Sequence, residues 1–221
     1  MAAWPSSADE LMEVQRALAE ADPAPFRLEE GAVIGGCFVC SERGKRGSGF
    51  AGDRLWAAAV THAETAVLEA QAGAPYEPGL LALREGPALE AAVRVLERPP
   101  EVLLVDATGR DHPRRAGLAL HLGAQLDIAT AGVTHRTLLA EGAWPADEPG
   151  AATPLILDGA VVGHWLRTRP GTRPLAVHTA WRTDPDTATQ VVLAALAGRR
   201  APEPLRRARQ AAREARAVAE S

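Results

Sequence analysis

The spacing of apolar and polar residues predicts a chain in which helices and strands alternate. Apolar residues recur at helical spacing over residues 8–19, and Ser7 can cap that helix. Short apolar runs bounded by turn residues predict strands over 32–40, 55–61, 64–70, 102–105, 128–133, 155–157, 161–166 and 175–177. Further helices are expected from Pro87, after Pro113, from residues 183–186 to 197, and over 203–219. The mixture of elements indicates an α/β fold.

The stretch from Val102 to Leu122 carries the densest candidate chemistry. A buried strand would end in Asp106, and the loop that follows contains Asp111, His112, Pro113, Arg114 and Arg115. Ligands of open α/β sheets bind outside the carboxyl ends of strands, so an acid followed by a basic loop suits metal and phosphate chemistry. A capping aspartate before a basic surface loop is an equally good interpretation of these residues alone.

A second candidate group precedes this stretch. The prolines of the turn over 75–79 restrict Tyr76, which favours an outward position from which its ring could stack on a base. A tyrosine that packs against its own loop is the more common outcome. Glu85 is expected at the start of the helix that begins at Pro87, where a glutamate often does no more than complement the helix dipole.

Two arginine groups lie nearer the carboxyl terminus. Arg167, Arg169 and Arg173 surround a Pro-Gly turn and are candidates for phosphate contacts. The arginines of the last helix favour a solvated helix face over a binding surface.

Composition limits the remaining function classes. The chain has 221 residues and a net charge of −4, which argues against a generally basic nucleic-acid coat but not against a local phosphate site. Cys37 and Cys40 lack partners for a zinc site and lie in an apolar run, which favours core thiols over redox chemistry. No signal-peptide pattern and no membrane-spanning run are present, so we expect a cytoplasmic protein without a membrane partner.

Two long segments resemble the endonuclease V (deoxyinosine 3′-endonuclease) family. They are PYEPGLLALREGP over 75–87 and LLVDATGRDHPRRAGLALHLG over 103–123. The strand around Cys37, the hairpin near Gly163 and the PEP before the last helix occur at matching spacing, so the resemblance covers most of residues 8–210. It implies an RNase H-like α/β fold, with a mixed central sheet flanked by helices in a single domain over 1–221.

The resemblance also implies an activity and its partners. These are Mg²⁺-dependent hydrolysis of a phosphodiester on the 3′ side of deoxyinosine, with Mn²⁺ as an alternative metal, in DNA repair by a monomer that binds DNA or, in some members, RNA. Glu85 and Asp106 match metal-ligand carboxylates, and His112 matches the histidine of a His-Pro-Arg segment. The expected nucleic-acid contacts are Tyr76, which matches the family's wedge residue, and Gly79, Arg114, Arg115, Arg167 and Arg169.

Three positions depart from the family pattern. Phe38 replaces a metal-binding aspartate, His135 replaces a lysine, and Trp181 replaces a histidine. Mg²⁺ requires oxygen ligands, so the loss of one acid weakens a sparse site. The lost lysine removes a fixed charge that would stabilise developing negative charge, although a protonated His135 could replace part of it at low pH.

Two functions from different classes follow. One is an endonuclease with a reduced metal site, in which Glu85 and Asp106 hold Mg²⁺, His112 or His135 positions phosphate, and Glu42 is a candidate for the missing oxygen ligand. The other is a non-catalytic protein that keeps the Tyr76 wedge and the arginine loops and binds nucleic acid without cutting it. Cleavage of an inosine-containing duplex separates the two.

Overall fold

The computed structural model describes residues 3–44 and 47–221, which fold around one mixed sheet of eight strands. The strands are β1 (Ile34–Ser41), β2 (Arg54–Val60), β3 (Thr65–Gln71), β4 (Val102–Val105), β5 (Ala129–Thr134), β6 (Ala152–Leu157), β7 (Ala160–Leu166) and β8 (Leu175–Thr179). They lie in the order β3-β2-β1-β4-β5-β8-β7-β6. The pairs β1–β4 and β4–β5 are parallel and the other pairs are antiparallel, which confirms the predicted mixed sheet.

Helices cover both faces of the sheet. The helices α1 (Ala8–Glu20), α2 (Leu81–Arg94) and α3 (Leu118–Leu126) pack with Leu103 and Val105 on one face. The helices α4 (Pro185–Ala194) and α5 (Glu203–Ala219) lie on the other face, against Val102, Leu104 and the cluster around Trp56. The two faces differ because successive side chains of a strand point in opposite directions. None of the helices formed by the described residues is long and apolar enough to cross a membrane.

Several local predictions are confirmed. The four residues of β4 are fully buried, as a continuous apolar run predicts, and Asp106 follows directly. Asp158 and Gly159 join β6 to β7 with φ values of 47° and 78°, the conformation that a two-residue hairpin turn requires. Ser7 caps α1 by accepting a hydrogen bond from the Glu10 amide.

The predicted start of the second helix was wrong. The helix begins at Leu81, so Pro87 lies inside it and Glu85 is in its second turn rather than before it. Proline lacks the amide that would bond to the Leu83 carbonyl, and the prediction treated this as a helix boundary. Gly73 lies against this part of the helix: its amide donates to the Arg84 carbonyl at 3.2 Å, and a Cβ at Gly73 would meet the Leu83 oxygen. α3 begins at Leu118, in the Ala/Leu-rich segment after Pro113 where a helix is predicted, and it follows a turn in which Arg115 has a φ of 56°.

Candidate functional site

The carboxyl ends of the three parallel strands place four of the predicted residues close together. Cys37 pairs with Val105, so Phe38 and Asp106, the next residue on each strand, lie side by side. Asp106 follows β4, and His135 follows β5 at the same edge of the sheet. Glu85 extends from α2 and lies near enough to Asp106 for the charge of that carboxylate to raise the pKa of Glu85. We call Phe38, Glu85, Asp106 and His135 the carboxylate edge.

A pocket of about 230 Å³ opens beside Asp106. Tyr76 lies at this pocket with half of its surface exposed, which confirms the outward position predicted from the turn. The walls are largely apolar, and a few polar groups, including His112 and Thr134, also line it. Sites of this kind, with apolar walls and a few fixed polar groups, suit a planar ligand such as a base. We call this cavity the Tyr76 pocket; its apolar walls include Leu81, Leu118 and Leu138.

One carbonyl group of the turn that carries Tyr76 accepts three side-chain hydrogen bonds. The Gly79 oxygen accepts hydrogen bonds from Gln15 Nε2 at 3.2 Å, His112 Nε2 at 3.1 Å and Arg114 Nη2 at 2.7 Å. Arg114 Nε also donates to Gln15 Oε1 at 2.6 Å. Gly79 has a φ of +79°, a conformation that glycine adopts without strain. The two segments that carry the family resemblance are therefore joined at Gly79.

Both ring nitrogens of His112 are engaged. Nε2 donates to the Gly79 carbonyl, and Nδ1 accepts a hydrogen bond from the Arg114 amide at 3.2 Å. Burial, and then the charge of Arg114, lower the pKa of His112 to about 4. The ring is therefore neutral at pH 7, and it ties two loops together rather than carrying a proton to a substrate.

Asp111 positions another wall of the pocket. Its carboxylate is fully buried and accepts hydrogen bonds from the amides of Leu138, Leu139 and Ala140 at 2.7–2.8 Å. Leu138 from this loop lines the Tyr76 pocket. Sequence reasoning noted Asp111 only as part of a basic loop, although an acid next to a strand end is a common anchor for backbone amides.

Glu85 and Asp106 occupy different electrostatic environments. Burial raises the pKa of Glu85 to about 7; the charge of Arg84 opposes this shift and that of Asp106 adds to it. Arg84 itself forms a buried ion pair with Asp53 at 3.2 Å and donates to two carbonyl groups, so it anchors α2. Glu85 therefore carries only part of a negative charge at neutral pH.

Asp106 has a cationic partner from the last helix. Arg209 Nη2 lies 2.8 Å from Asp106 Oδ2, and the guanidinium carbon of Arg209 lies 5.2 Å from the centroid of the Phe38 ring. The guanidinium carbon of Arg213, one turn further along α5, lies 5.6 Å from the same ring. Both distances fall within the range of cation–π contacts. The position that a metal-binding aspartate would occupy therefore holds an aromatic ring under two guanidinium groups.

The donor set has two of the three carboxylates that the resemblance implies for Mg²⁺. Among the residues that the structure describes, no group of three or more His, Cys, Asp or Glu side chains could hold a metal ion. Glu42 follows the carboxyl end of β1, four residues beyond Phe38, where its charge acts on Arg54 at the start of the paired strand β2. Its role as the missing oxygen ligand stays a prediction. Trp181 packs against the cluster that contains α3 and supplies no charge. Glu85 and Asp106 remain the only carboxylates predicted for the metal that converge here.

His135 lies within a group of arginines. Its Nδ1 accepts a hydrogen bond from Arg200 Nη2 at 3.3 Å. Burial and the charges of Arg200, Arg209 and Arg173 lower its pKa, whereas Asp106 acts in the opposite direction. His135 is therefore neutral at pH 7 and does not replace the fixed charge of a lysine.

The predicted phosphate-contacting arginines have different surroundings. Arg114 supports Gly79, and Arg115 donates to the Leu157 carbonyl and to Asp158 across the β6–β7 turn. Arg167 is buried, where it pairs with Asp147 at 3.2 Å and donates to several carbonyl groups. Arg169 is exposed. Of these four, only Arg169 presents its side chain mainly to solvent.

Sequence reasoning missed Arg209 and Arg213. The interpretation of the last helix as a solvated arginine face was wrong for Arg209, which pairs with Asp106. Arg213 is exposed, as that interpretation expects, but its guanidinium group also lies over the Phe38 ring. A signal was available in the spacing. Residues 209 and 213 follow Leu205 by four and eight positions, which places them on the same face as the buried Leu205, Ala208 and Ala212.

Comparison with known proteins identifies the family. The endonuclease V family profile matches residues 21–210. The chain is 40% identical over 168 residues to the endonuclease V of Roseiflexus sp. strain RS-1, covering 73% of this chain and 76% of that protein. It is similar to the crystal structure of Streptomyces avermitilis endonuclease V, with a TM-score of 0.84, 30% identity, and coverage of 100% of this chain and 98% of that one.

A structure with bound DNA shares the fold. Ciona intestinalis endonuclease V, in complex with a 24-mer DNA containing an inosine followed by a ribo-adenosine, has a TM-score of 0.75 and 20% identity. The alignment covers 94% of this chain and 96% of that one. At this identity the likeness shows the fold alone, and it agrees with the RNase H-like architecture expected from the sequence. The profile match and the Roseiflexus relative show that the chain belongs to the endonuclease V family.

Proposed function

We propose that this protein binds nucleic acid carrying a deaminated purine, such as inosine in DNA, and that it cleaves the strand slowly or not at all. The observation that carries the proposal is the contrast at one cavity. The Tyr76 pocket is fully assembled, whereas the adjacent Asp106 carboxylate is paired with Arg209. The protein would thus bind the deaminated base without efficiently cleaving the strand.

The proposed binding of nucleic acid is based on the Tyr76 pocket and on the turn that carries Tyr76. Tyr76 is exposed, and the Gly79 carbonyl bonds hold its turn in place. Stacking of a base on an aromatic ring contributes about 1–3 kcal/mol and requires no particular sequence. A base turned out of the duplex could enter the pocket, and unpairing costs least for a mismatched or damaged base. This favours a deaminated purine as the bound base.

The weak-cleavage half rests on the carboxylate edge. Endonuclease V proteins are in general metal-dependent. Here one predicted ligand position holds Phe38, Glu85 is only partly ionised at neutral pH, and Asp106 has a guanidinium partner. Hard divalent cations are held by carboxylate and other oxygen ligands. We therefore expect poor metal retention and little stabilisation of charge at the scissile phosphate.

A second candidate function is slow hydrolysis of the phosphodiester 3′ to deoxyinosine, with Mg²⁺ or Mn²⁺. It is favoured by one observation: Glu85 and Asp106, the two carboxylates that match family metal ligands, still converge at the pocket. Nucleic acid could bring additional phosphate oxygens to the site. Under this alternative the same residues would give a low but measurable rate.

Binding specificity tests the proposal. Fluorescence anisotropy would compare a duplex containing one deoxyinosine with the same duplex carrying adenine, and an RNA strand of the same sequence containing inosine. We expect saturable binding at low salt and a clear preference for the deoxyinosine duplex over the adenine duplex, because only the former offers a weakly paired base. The RNA strand then tells whether the sugar matters. Equal affinity for the two duplexes, or no binding, would contradict the proposal.

A further inference from the structure

We infer that Arg209 and Arg213 form a built-in cationic site that binds a backbone phosphate of the nucleic acid without a divalent cation. This inference rests on the proposed function, since it concerns how the same site holds nucleic acid. It differs from the family expectation, in which metal ions occupy this position. The chemistry expected of the ligand is a phosphodiester adjacent to the base in the Tyr76 pocket.

The geometry places both guanidinium groups over one surface. They lie one helical turn apart on α5, at 5.2 and 5.6 Å from the centroid of the Phe38 ring. The ring packs against Ala208 and other members of its cluster, so it forms a fixed platform beneath the cations. Arginine stacks well on aromatic faces and keeps its N–H groups available at the edge of the guanidinium plane. Those N–H groups can then donate two parallel hydrogen bonds to one phosphate group.

The local charge balance favours an anion. Asp106 pairs with Arg209, and Arg213 has no carboxylate partner among the described residues. Arg200 and Arg173 add positive charge around His135 at the same edge. A divalent cation would be repelled by these groups, whereas a phosphate would be attracted. Asp106 would then orient Arg209 instead of binding metal.

The site borders the base-binding cavity. Asp106 lines the Tyr76 pocket and also contacts Arg209, so the guanidinium group lies at the rim of that pocket. Arg209 is 29% exposed and Asp106 25% exposed, which leaves part of each group open to a ligand. The phosphate of the nucleotide whose base enters the pocket is therefore the one within reach. Base and phosphate would be held by adjoining parts of one surface.

Affinity measured with and without metal tests the inference. The probe is a duplex containing one deoxyinosine, titrated by anisotropy in EDTA and in Mg²⁺ at the same ionic strength. The wild-type affinity in EDTA and in Mg²⁺ should agree within about twofold, because the positive charge that binds the phosphate is supplied by arginine side chains and not by a metal ion. Binding that requires Mg²⁺ and disappears in EDTA would overturn the inference.

Arginine variants identify the groups responsible. Arg213→Ala leaves the Asp106–Arg209 pair intact and should weaken binding about tenfold, with a salt dependence shallower by about one phosphate contact. Arg209→Ala should weaken binding at least as much. The matched control is Arg206→Ala, since Arg206 is exposed on the same helix and pairs with Glu203. If Arg213→Ala and Arg206→Ala bind alike, the inferred phosphate site is wrong.

Metal binding can be measured independently of nucleic acid. Titration with Mn²⁺ alone, followed by electron paramagnetic resonance, should show no saturable site in the wild-type protein that depends on Asp106. A site abolished by Asp106→Ala would overturn the inference even if nucleic acid binds. Absence of nucleic-acid binding in both EDTA and Mg²⁺ would instead refute the proposed function, and with it the phosphate site.

Discussion

The Tyr76 turn and the carboxylate edge lie against the same pocket, yet they are organised in opposite ways. The turn keeps the residues of the family segments, and its central carbonyl accepts bonds from Gln15, His112 and Arg114. The edge has Phe38 in place of a carboxylate and Arg209 as the partner of Asp106. Under the proposed function, recognition and hydrolysis would depend on separate residues, so one set could change while the other, and the fold, persist.

The altered edge also contributes to packing. Phe38 joins Trp56, Ala58, Ala208 and Ala212 in a cluster between the sheet and α5. An aspartate at residue 38 would lack the ring and its apolar contacts with this cluster. The position that the resemblance assigns to a metal-binding aspartate is thus part of the interface that holds the last helix.

The largest expected effect comes from rebuilding the carboxylate edge. The variant with Phe38→Asp, His135→Lys, Trp181→His and Arg209→Ala should nick an inosine duplex at least about 10²-fold faster than the wild type in Mg²⁺. The aspartate would add a metal ligand, and the lysine and histidine would stabilise developing negative charge. Phe38→Asp alone should gain less than about tenfold, since Arg209 and Arg213 would pair with the new carboxylate. Single-turnover assays on gels measure both. Full activity in Phe38→Asp alone would show that the arginines do not block the site.

Acid should weaken the fold through three buried histidines, of which His112 supports the Tyr76 turn. Burial lowers the pKa of His112, His121 and His178 to about 4, so between about pH 6.5 and 4 the unfolded chain binds protons that the folded protein does not. Each histidine should lower the free energy of unfolding by up to about 1.4 kcal/mol per pH unit below pH 6.5. Glu85, whose pKa burial raises to about 7, acts in the opposite direction and offsets one of the three.

Urea denaturation at several pH values measures this slope. His121→Phe, which keeps a ring beside Trp4, should make the slope shallower. Stability that stays constant from pH 7 to 5 would mean that these histidines are protonated in the folded protein.

Removal of the Tyr76 ring should have an intermediate effect. Tyr76→Ala should weaken binding to inosine DNA about tenfold, because stacking contributes about 1–3 kcal/mol per base. Tyr76→Phe is the matched control and should retain most of the affinity, since it keeps the ring. Anisotropy measures both variants. Equal affinity of Tyr76→Ala and the wild type would remove the Tyr76 turn from the binding surface.

The smallest effects should separate two arginines of one loop. Arg167→Ala should lower the free energy of unfolding by about 2 kcal/mol, because its buried guanidinium satisfies several carbonyl groups. Arg169 is exposed, so Arg169→Ala should change stability by less than about 0.5 kcal/mol and weaken binding only about two- to threefold. Chemical denaturation and anisotropy give the two values. If Arg167→Ala instead weakened binding strongly with little loss of stability, Arg167 would be a nucleic-acid contact.

Much of this architecture could be predicted from local pattern. The strand ending at Asp106, the Asp158–Gly159 hairpin and the exposed Tyr76 each depend on a few neighbouring residues, and the structure confirms them. The start of α2 could not be predicted in this way. Pro87 predicts a helix boundary, whereas the helix continues through it from Leu81 and packs its buried face against the sheet.

The most informative part of the site depends on distant residues. Arg209 lies more than a hundred residues after Asp106 and contacts it only because α5 packs across β1. The charge run alone favoured a solvated helix. The positions of residues 209 and 213 on the face shared by Leu205, Ala208 and Ala212 were the available signal, since an arginine on a packed face needs a partner.

Cleavage and binding measured on one substrate test the central claim most directly. Purified wild-type protein would be titrated onto a duplex with one deoxyinosine and then incubated with Mg²⁺ or Mn²⁺ at saturating protein. We predict saturable binding, with nicking absent or at least about 10²- to 10³-fold slower than that of a family member with the complete carboxylate site. Efficient multiple-turnover nicking that disappears in Asp106→Ala would contradict the account.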